Sequence, residues 1–222
     1  MSYRLYLALG DSMSIDDFAG PGLGAASLLY ANDDRYPEFA GRDLRSTCPD
    51  CRFVSLARNG FRTRQILKSL DHAPAESGPT LVTLTAGGND LLAAAGSRQF
   101  PDPWLEHFVA DYDELLLAIK ARYSDLTLLG GNIYDPTDGT GFVQSGHDDW
   151  AHLFAFLADV NARIFERLKL AGAVPVDIHS TFFGRATAEV EPLIFYNIEP
   201  TKLGSSEIRR LFWQATGLGE TG

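Results

Sequence analysis

A serine stands on a polar turn directly after an apolar run: residues 5–14 read LYLALGDSMS. A serine hydroxyl is a weak nucleophile until a base takes its proton. The carbonyl it attacks becomes an oxyanion, and that charge needs fixed donors. Candidate donors follow two later apolar runs. Gly60 closes the stretch SLARNG, and a residue without a Cβ lets a substrate approach its backbone N–H. Asn89, in the turn Gly87-Gly88-Asn89-Asp90, offers a side-chain N–H. The N–H of Ser12 is a third donor. Nucleophile and donors of this kind describe acyl transfer.

Such chemistry needs elements that carry these residues to one place. Apolar runs of strand length alternate along the chain with helical patterns. Strands are expected at Arg4–Leu9, Phe53–Ala57, Leu81–Thr85, Leu126–Leu129 and Val174–Ile178. Helices are expected at Tyr36–Arg45, Thr63–Leu70, Trp104–Arg122 and Ser205–Gln214. Trp150, Leu153, Phe154, Leu157, Ile164, Phe165 and Leu168 form a stripe at helical spacing, which predicts one further helix over Asp148–Leu170. This alternation implies an α/β fold, a three-layer α/β/α sandwich around a five-stranded parallel sheet, within one domain spanning residues 1–222. In such sheets ligands bind beyond the carboxyl ends of the strands. That rim should gather Ser12, Arg58 to Gly60, Gly87 to Asp90, Asn132 and Asp177 to His179.

In motif order and spacing the chain resembles the SGNH/GDSL hydrolase family. Gly10-Asp11-Ser12-Met13-Ser14 is similar to its first motif, Ser55 to Gly60 to its second, and Gly87-Gly88-Asn89-Asp90 to its third. The likeness covers nearly the whole chain. It implies a flavodoxin-like sandwich and a serine esterase or acylhydrolase working without metal or cofactor. Ser12 would form an acyl-enzyme, and the Ser12 N–H, Gly60 and Asn89 would form the oxyanion hole. The family's fourth motif is Asp-x-x-His, commonly before a proline, and supplies the base and its orienter. The matching stretch here is Tyr196-Asn197-Ile198-Glu199-Pro200, so Tyr196 replaces the Asp and Glu199 the His.

Three solutions follow. Glu199 is itself the base, aided by burial that raises its pKa. Alternatively His179, just past the fifth strand, is the base and Glu199 orients it. Or no base remains, and the chain is an inactive binding protein that keeps the hydrolase fold. Outside catalysis, Glu199 would pair with Arg209 or Arg210, and His179 would pack its own loop. A nucleotide or flavin binder is a further class that this fold type accommodates.

Other features exclude more than they assign. A formal net charge of −10 argues against nucleic acid, whose phosphates call for Lys and Arg. The same charge disfavours an anionic membrane surface. No apolar run is long enough to span a bilayer, and the N-terminus lacks a signal peptide's apolar core, so a soluble cytoplasmic protein acting on a small-molecule ester is expected. The pair Cys48 and Cys51 reads as structural thiols between a helix and a strand, because a redox Cys-x-x-Cys follows a strand and opens a helix. Asp149-x-x-His152 could ligate a metal, but acids opening a helix account for it. Two stretches, 18–34 and 135–146, read as long loops of the kind that form lids. Asp16 and Asp17, close behind Ser12, could shape the entrance or repel acidic substrates, but solvated loop acids account for them. Phe182, Phe183 and Trp150 are candidates for an acyl pocket or for core.

Overall fold

The apolar runs assemble into one parallel sheet. In the computed structural model, residues 2–32, 36–96, 102–141, 155–196 and 198–218 are described. Strands β1 (Leu5–Leu9), β2 (Arg52–Ser55), β3 (Thr80–Thr85), β4 (Leu126–Gly131) and β5 (Val174–Val176) lie in the order β2-β1-β3-β4-β5. Leu7 lies opposite Val54 on one side and Val82 on the other. Every β1 residue is buried, which follows from helices covering both faces of the sheet.

The period of two along a strand divides the core into two layers. Leu5, Leu7 and Leu9 point into a cluster with Ile66, Leu115 and Ile164, from α3 (Thr63–Ser69), α5 (Asp102–Arg122) and α6 (Leu157–Leu170). Tyr6 and Ala8 point the other way, into a cluster with Leu29, Leu44 and Phe212. Those come from α1 (Ala25–Tyr30), α2 (Leu44–Thr47) and α8 (Lys202–Ala215). This is the expected three-layer flavodoxin-like sandwich. Strand order reverses between β1 and β3, the switch point at which such sheets open a crevice. Ser12 follows β1 and Asn89 follows β3, so the two flank it.

Several elements differ from the sequence expectations. The stretch 18–34 contains α1. The helix expected over Tyr36–Arg45 is a 3₁₀ turn at Pro37–Phe39 and then α2, because Asp43 starts a new helix by accepting the Ser46 N–H at 2.9 Å. The Gly87-Gly88-Asn89-Asp90 turn runs directly into α4 (Gly88–Gly96). Strand β5 stops at Val176, where Asp177 caps the short helix α7 (Ile178–Phe182) by accepting the Ser180 N–H at 3.0 Å. The long helix is described from Leu157; its expected beginning lies outside the described residues. A two-stranded hairpin, β6 (Ile194–Phe195) with β7 (Glu199–Pro200), had no counterpart in the sequence reading.

Candidate active site

The turn after β1 is built around Thr85, at the end of the neighbouring strand. Gly10 has φ +144°, and a Cβ there would stand 2.2 Å from Thr85 Oγ1. Only glycine lets β1 leave the sheet so close to β3. The Thr85 hydroxyl donates to Asp11 Oδ1 at 3.0 Å, and the same oxygen accepts the Met13 N–H at 3.1 Å. Thr85 Oγ1 also lies 3.0 Å from Ser14 Oγ. Burial pushes the Asp11 carboxyl up to about 7, opposed by these hydrogen bonds. The turn thus fixes its flanking side chains and leaves Ser12 half-exposed, with an N–H that meets no acceptor among the described residues.

The two other expected donors are joined to each other. Gly60 has φ +74°, and nothing lies within 4 Å of where its Cβ would be. The backbone conformation, rather than crowding, calls for glycine there. Its N–H also meets no acceptor among the described residues. Asn89 Nδ2 donates to the Phe61 carbonyl at 3.1 Å, which leaves its second N–H for another acceptor. Asp90 Oδ2 accepts both the N–H and the hydroxyl of Thr63, each at 3.0 Å. The first turn of α4 therefore clamps the start of α3, and Gly60 lies between the clamped residues and β2. Asn89→Ala is expected to lower kcat for ester hydrolysis by about 10²–10³-fold with a smaller change in KM, as measured by steady-state kinetics.

Glu199 reaches the same place from the opposite end of the chain. It is 5% exposed. Burial raises its pKa above the usual glutamate value; the nearby Ser12 side chain opposes this, and the charge of Asp17 adds to it. Its Oε2 is buried with no hydrogen-bond partner among the described residues. The hairpin that presents it is tied at several points. Phe195 pairs with Glu199 across the ladder, and Tyr196 turns the chain with φ +48°. The Tyr134 hydroxyl donates to the Ile198 carbonyl, and the Tyr134 ring stacks on Phe182 with centroids 4.6 Å apart. Thr201 donates its N–H to Leu193 at 2.9 Å and its hydroxyl to Pro192 at 2.8 Å, while capping α8 through Gly204 N–H. Neither arginine considered as a partner takes Glu199. Arg210 pairs with Glu207 at 2.6 Å. Arg209 is buried over the Phe39 ring at 4.0 Å and donates to the Arg42 carbonyl.

The structure brings Ser12 and Glu199 together and gives His179 different surroundings. Ser12 follows β1 and His179 follows β5, three inter-strand spacings apart, about 14 Å. The His179 N–H donates to Asn132 Oδ1 at 2.8 Å, and its ring tilts against Phe183 with centroids 5.9 Å apart. His179 Nδ1 is buried without a hydrogen-bond partner among the described residues. Phe182 lies in the core and Phe183 is largely exposed; neither lines the space beside Ser12. Asp16 holds its own loop by accepting the N–H groups of Gly22 and Gly24 at 2.9 and 2.8 Å. Trp150, Asp149, His152 and the end of the 135–146 loop lie outside the described residues. Cys48 and Cys51 are free, buried thiols between α2 and β2, and burial pushes the Cys51 thiol up to about 12.

A cleft of about 460 Å³, counting its open mouth, begins at Ser12 and Asn89. Met13, Leu91, Leu92, Ile133, Pro136 and Ile198 also line it. Tyr134, which lines the cleft and steadies the Glu199 hairpin, was not singled out from the sequence. The available signal was its position two residues past Asn132, on the rim at the end of β4. Among the described residues, no group of three or more His, Cys, Asp or Glu is placed to hold a metal ion, and no helix is long and apolar enough to cross a membrane.

The GDSL-like lipase/acylhydrolase family matches the chain over residues 8–205. No curated protein matches it by sequence. Among solved structures, a variant of an acetyl xylan esterase from Geobacillus stearothermophilus is similar, with a TM-score of 0.69 and 17% identity over 98% of this chain and 96% of that one. An extracellular lipase from Streptomyces rimosus gives 0.64 and 23%, over 96% and 98%. A phospholipase A1 from Streptomyces albidoflavus gives 0.66 and 19%, over 97% and 99%. At these identities the likeness is one of fold.

Proposed function

Since the chain belongs to the GDSL-like lipase/acylhydrolase family, a family of ester-hydrolysing enzymes, we propose that it is a serine esterase in which Glu199 takes the place of the customary histidine. The observation that carries this reading is a buried carboxyl, Glu199, on which the Ser12 side chain acts, beside a cleft that Ser12 lines. Ser12 Oγ attacks the ester carbonyl carbon as its proton passes to Glu199. The oxyanion is held by the N–H groups of Ser12 and Gly60 and the free N–H of Asn89. Collapse breaks the bond to the alcohol oxygen, which leaves with the proton from Glu199. Water then attacks the acyl-enzyme, gives a proton to Glu199, and the carboxylic acid departs as Ser12 regains its proton.

A glutamate in water, with a pKa of about 4.3, is a poor base for a serine. Burial makes it a stronger one, and the unpartnered Oε2 gives an added proton an open site. His179, tied to Asn132 and set against Phe183, stays outside this proton path. The test is hydrolysis of p-nitrophenyl acetate combined with labelling by a serine-directed fluorophosphonate. Labelling of the wild type on Ser12, with loss of label in Ser12→Ala, is expected. A wild type that takes no label and hydrolyses no better than Ser12→Ala would overturn the proposal and favour a binding protein.

A further inference from the structure

We infer that the acyl part of the substrate is an unbranched alkyl chain longer than acetyl, seated in the cleft beside Ser12; this rests on the esterase reading above. The polar side chains of the lining belong to the reacting end. They are Ser12, Asn89 and Asp11, whose Oδ1 is held by Thr85 and Met13. Among the described lining residues the one other side-chain oxygen or nitrogen, the Tyr134 hydroxyl, is committed to the Ile198 carbonyl. The other side chains of the described lining are apolar: Met13, Leu91, Leu92, Ile133, Pro136 and Ile198. A sugar hydroxyl or a charged group placed there would give up water without gaining a side-chain partner. An alkyl chain gives up nothing and gains burial.

The cleft takes the acyl group rather than the alcohol because of where the proton must go. The leaving oxygen has to lie at Glu199 to be protonated. Neither Glu199 nor its neighbour Asp17 lines the cleft. The alcohol therefore departs on the side of the 195–199 hairpin, where Phe195 sits opposite Glu199 and meets Phe18 edge-on at 6.2 Å.

The test measures kcat/KM for p-nitrophenyl acetate, butanoate, hexanoate and octanoate, with Ser12→Ala as background. Each buried methylene is expected to raise kcat/KM about fourfold until the cleft is full, so butanoate should exceed acetate by about fifteenfold. Leu92 is half-buried on α4 and borders the cleft, so its size should set the limit. Leu92→Trp should lower the octanoate-to-acetate ratio by tenfold or more, and Leu92→Ala should raise it and move the optimum to longer chains. A flat or falling profile beside Ser12-dependent acetate hydrolysis overturns the acyl assignment while the esterase reading stands. So does a chain-length preference that neither Leu92 variant moves, or one that follows the alcohol in a series of alkyl acetates. Absence of Ser12-dependent hydrolysis for every ester overturns both readings.

Discussion

Ser12→Ala is expected to lower kcat/KM for p-nitrophenyl esters by about 10³-fold or more, leaving the rate that an oxyanion hole and binding supply alone. The size of the loss follows from how the turn is built. Ser14, the neighbouring hydroxyl, is engaged with Thr85 at 3.0 Å and is buried, so it cannot take over the attack. Ser12 is the residue that combines partial exposure, a free N–H and contact with Glu199. The variant should fold normally, because Gly10, Asp11 and Thr85 hold the turn without the Ser12 side chain. Near-UV circular dichroism and the melting temperature check that. Removing the hydroxyl also removes the polar group that favours ionised Glu199. The Glu199 pKa should therefore rise further in Ser12→Ala, which a carboxyl-stretch titration by difference infrared spectroscopy reads directly. A variant that keeps the wild-type rate would place the chemistry on another residue.

The sheet was legible because strand-length apolar runs alternate with helical stripes, and because a central strand such as β1 must be apolar on both faces. The rim residues followed from the rule for strand ends, and three of them were specific in type: Ser12, Gly60 and Asn89. Short helices escaped because their causes are single side chains. Asp43 starts α2 and Asp177 starts α7, and a lone Asp in a loop is a common sight. The Glu199 hairpin escaped because each strand has two residues, too few for any period to show. Whether Glu199 or His179 meets Ser12 was open in the sequence. Both stand on the same rim, and only three-dimensional order sets one against the serine and the other against Phe183. Tyr134 acts through one hydroxyl on one carbonyl, a relation between β4 and the 195–199 hairpin that no local pattern encodes.

Glu199→Gln is expected to lower kcat/KM by about 10²–10⁴-fold, the usual contribution of a positioned base. Its pH behaviour is the stronger test. For the wild type, kcat/KM should rise with pH as Glu199 ionises, with a midpoint above the ordinary glutamate value because burial and Asp17 outweigh the effect of the Ser12 side chain. The variant should lose that rising limb, whereas His179→Ala should keep it with a rate within a few-fold of wild type. Stability should move the other way. A carboxyl whose folded pKa lies above its unfolded one holds an extra proton in the native state between the two values. Stability therefore falls as pH rises through that window. Glu199→Gln has no such loss at this position, so its melting temperature relative to wild type should climb from pH 4 toward pH 8. Asp11, pushed up to about 7 by burial and in part by the charge of Glu199, imposes the same direction of loss, and that loss shrinks in Glu199→Gln, which adds to the trend. A limb that survives in Glu199→Gln and vanishes in His179→Ala would transfer the base to His179, and with it the proton path. A gain in stability together with a loss of activity is the signature of a charge kept buried for its chemistry, and a Glu199 that only held the hairpin would lose both.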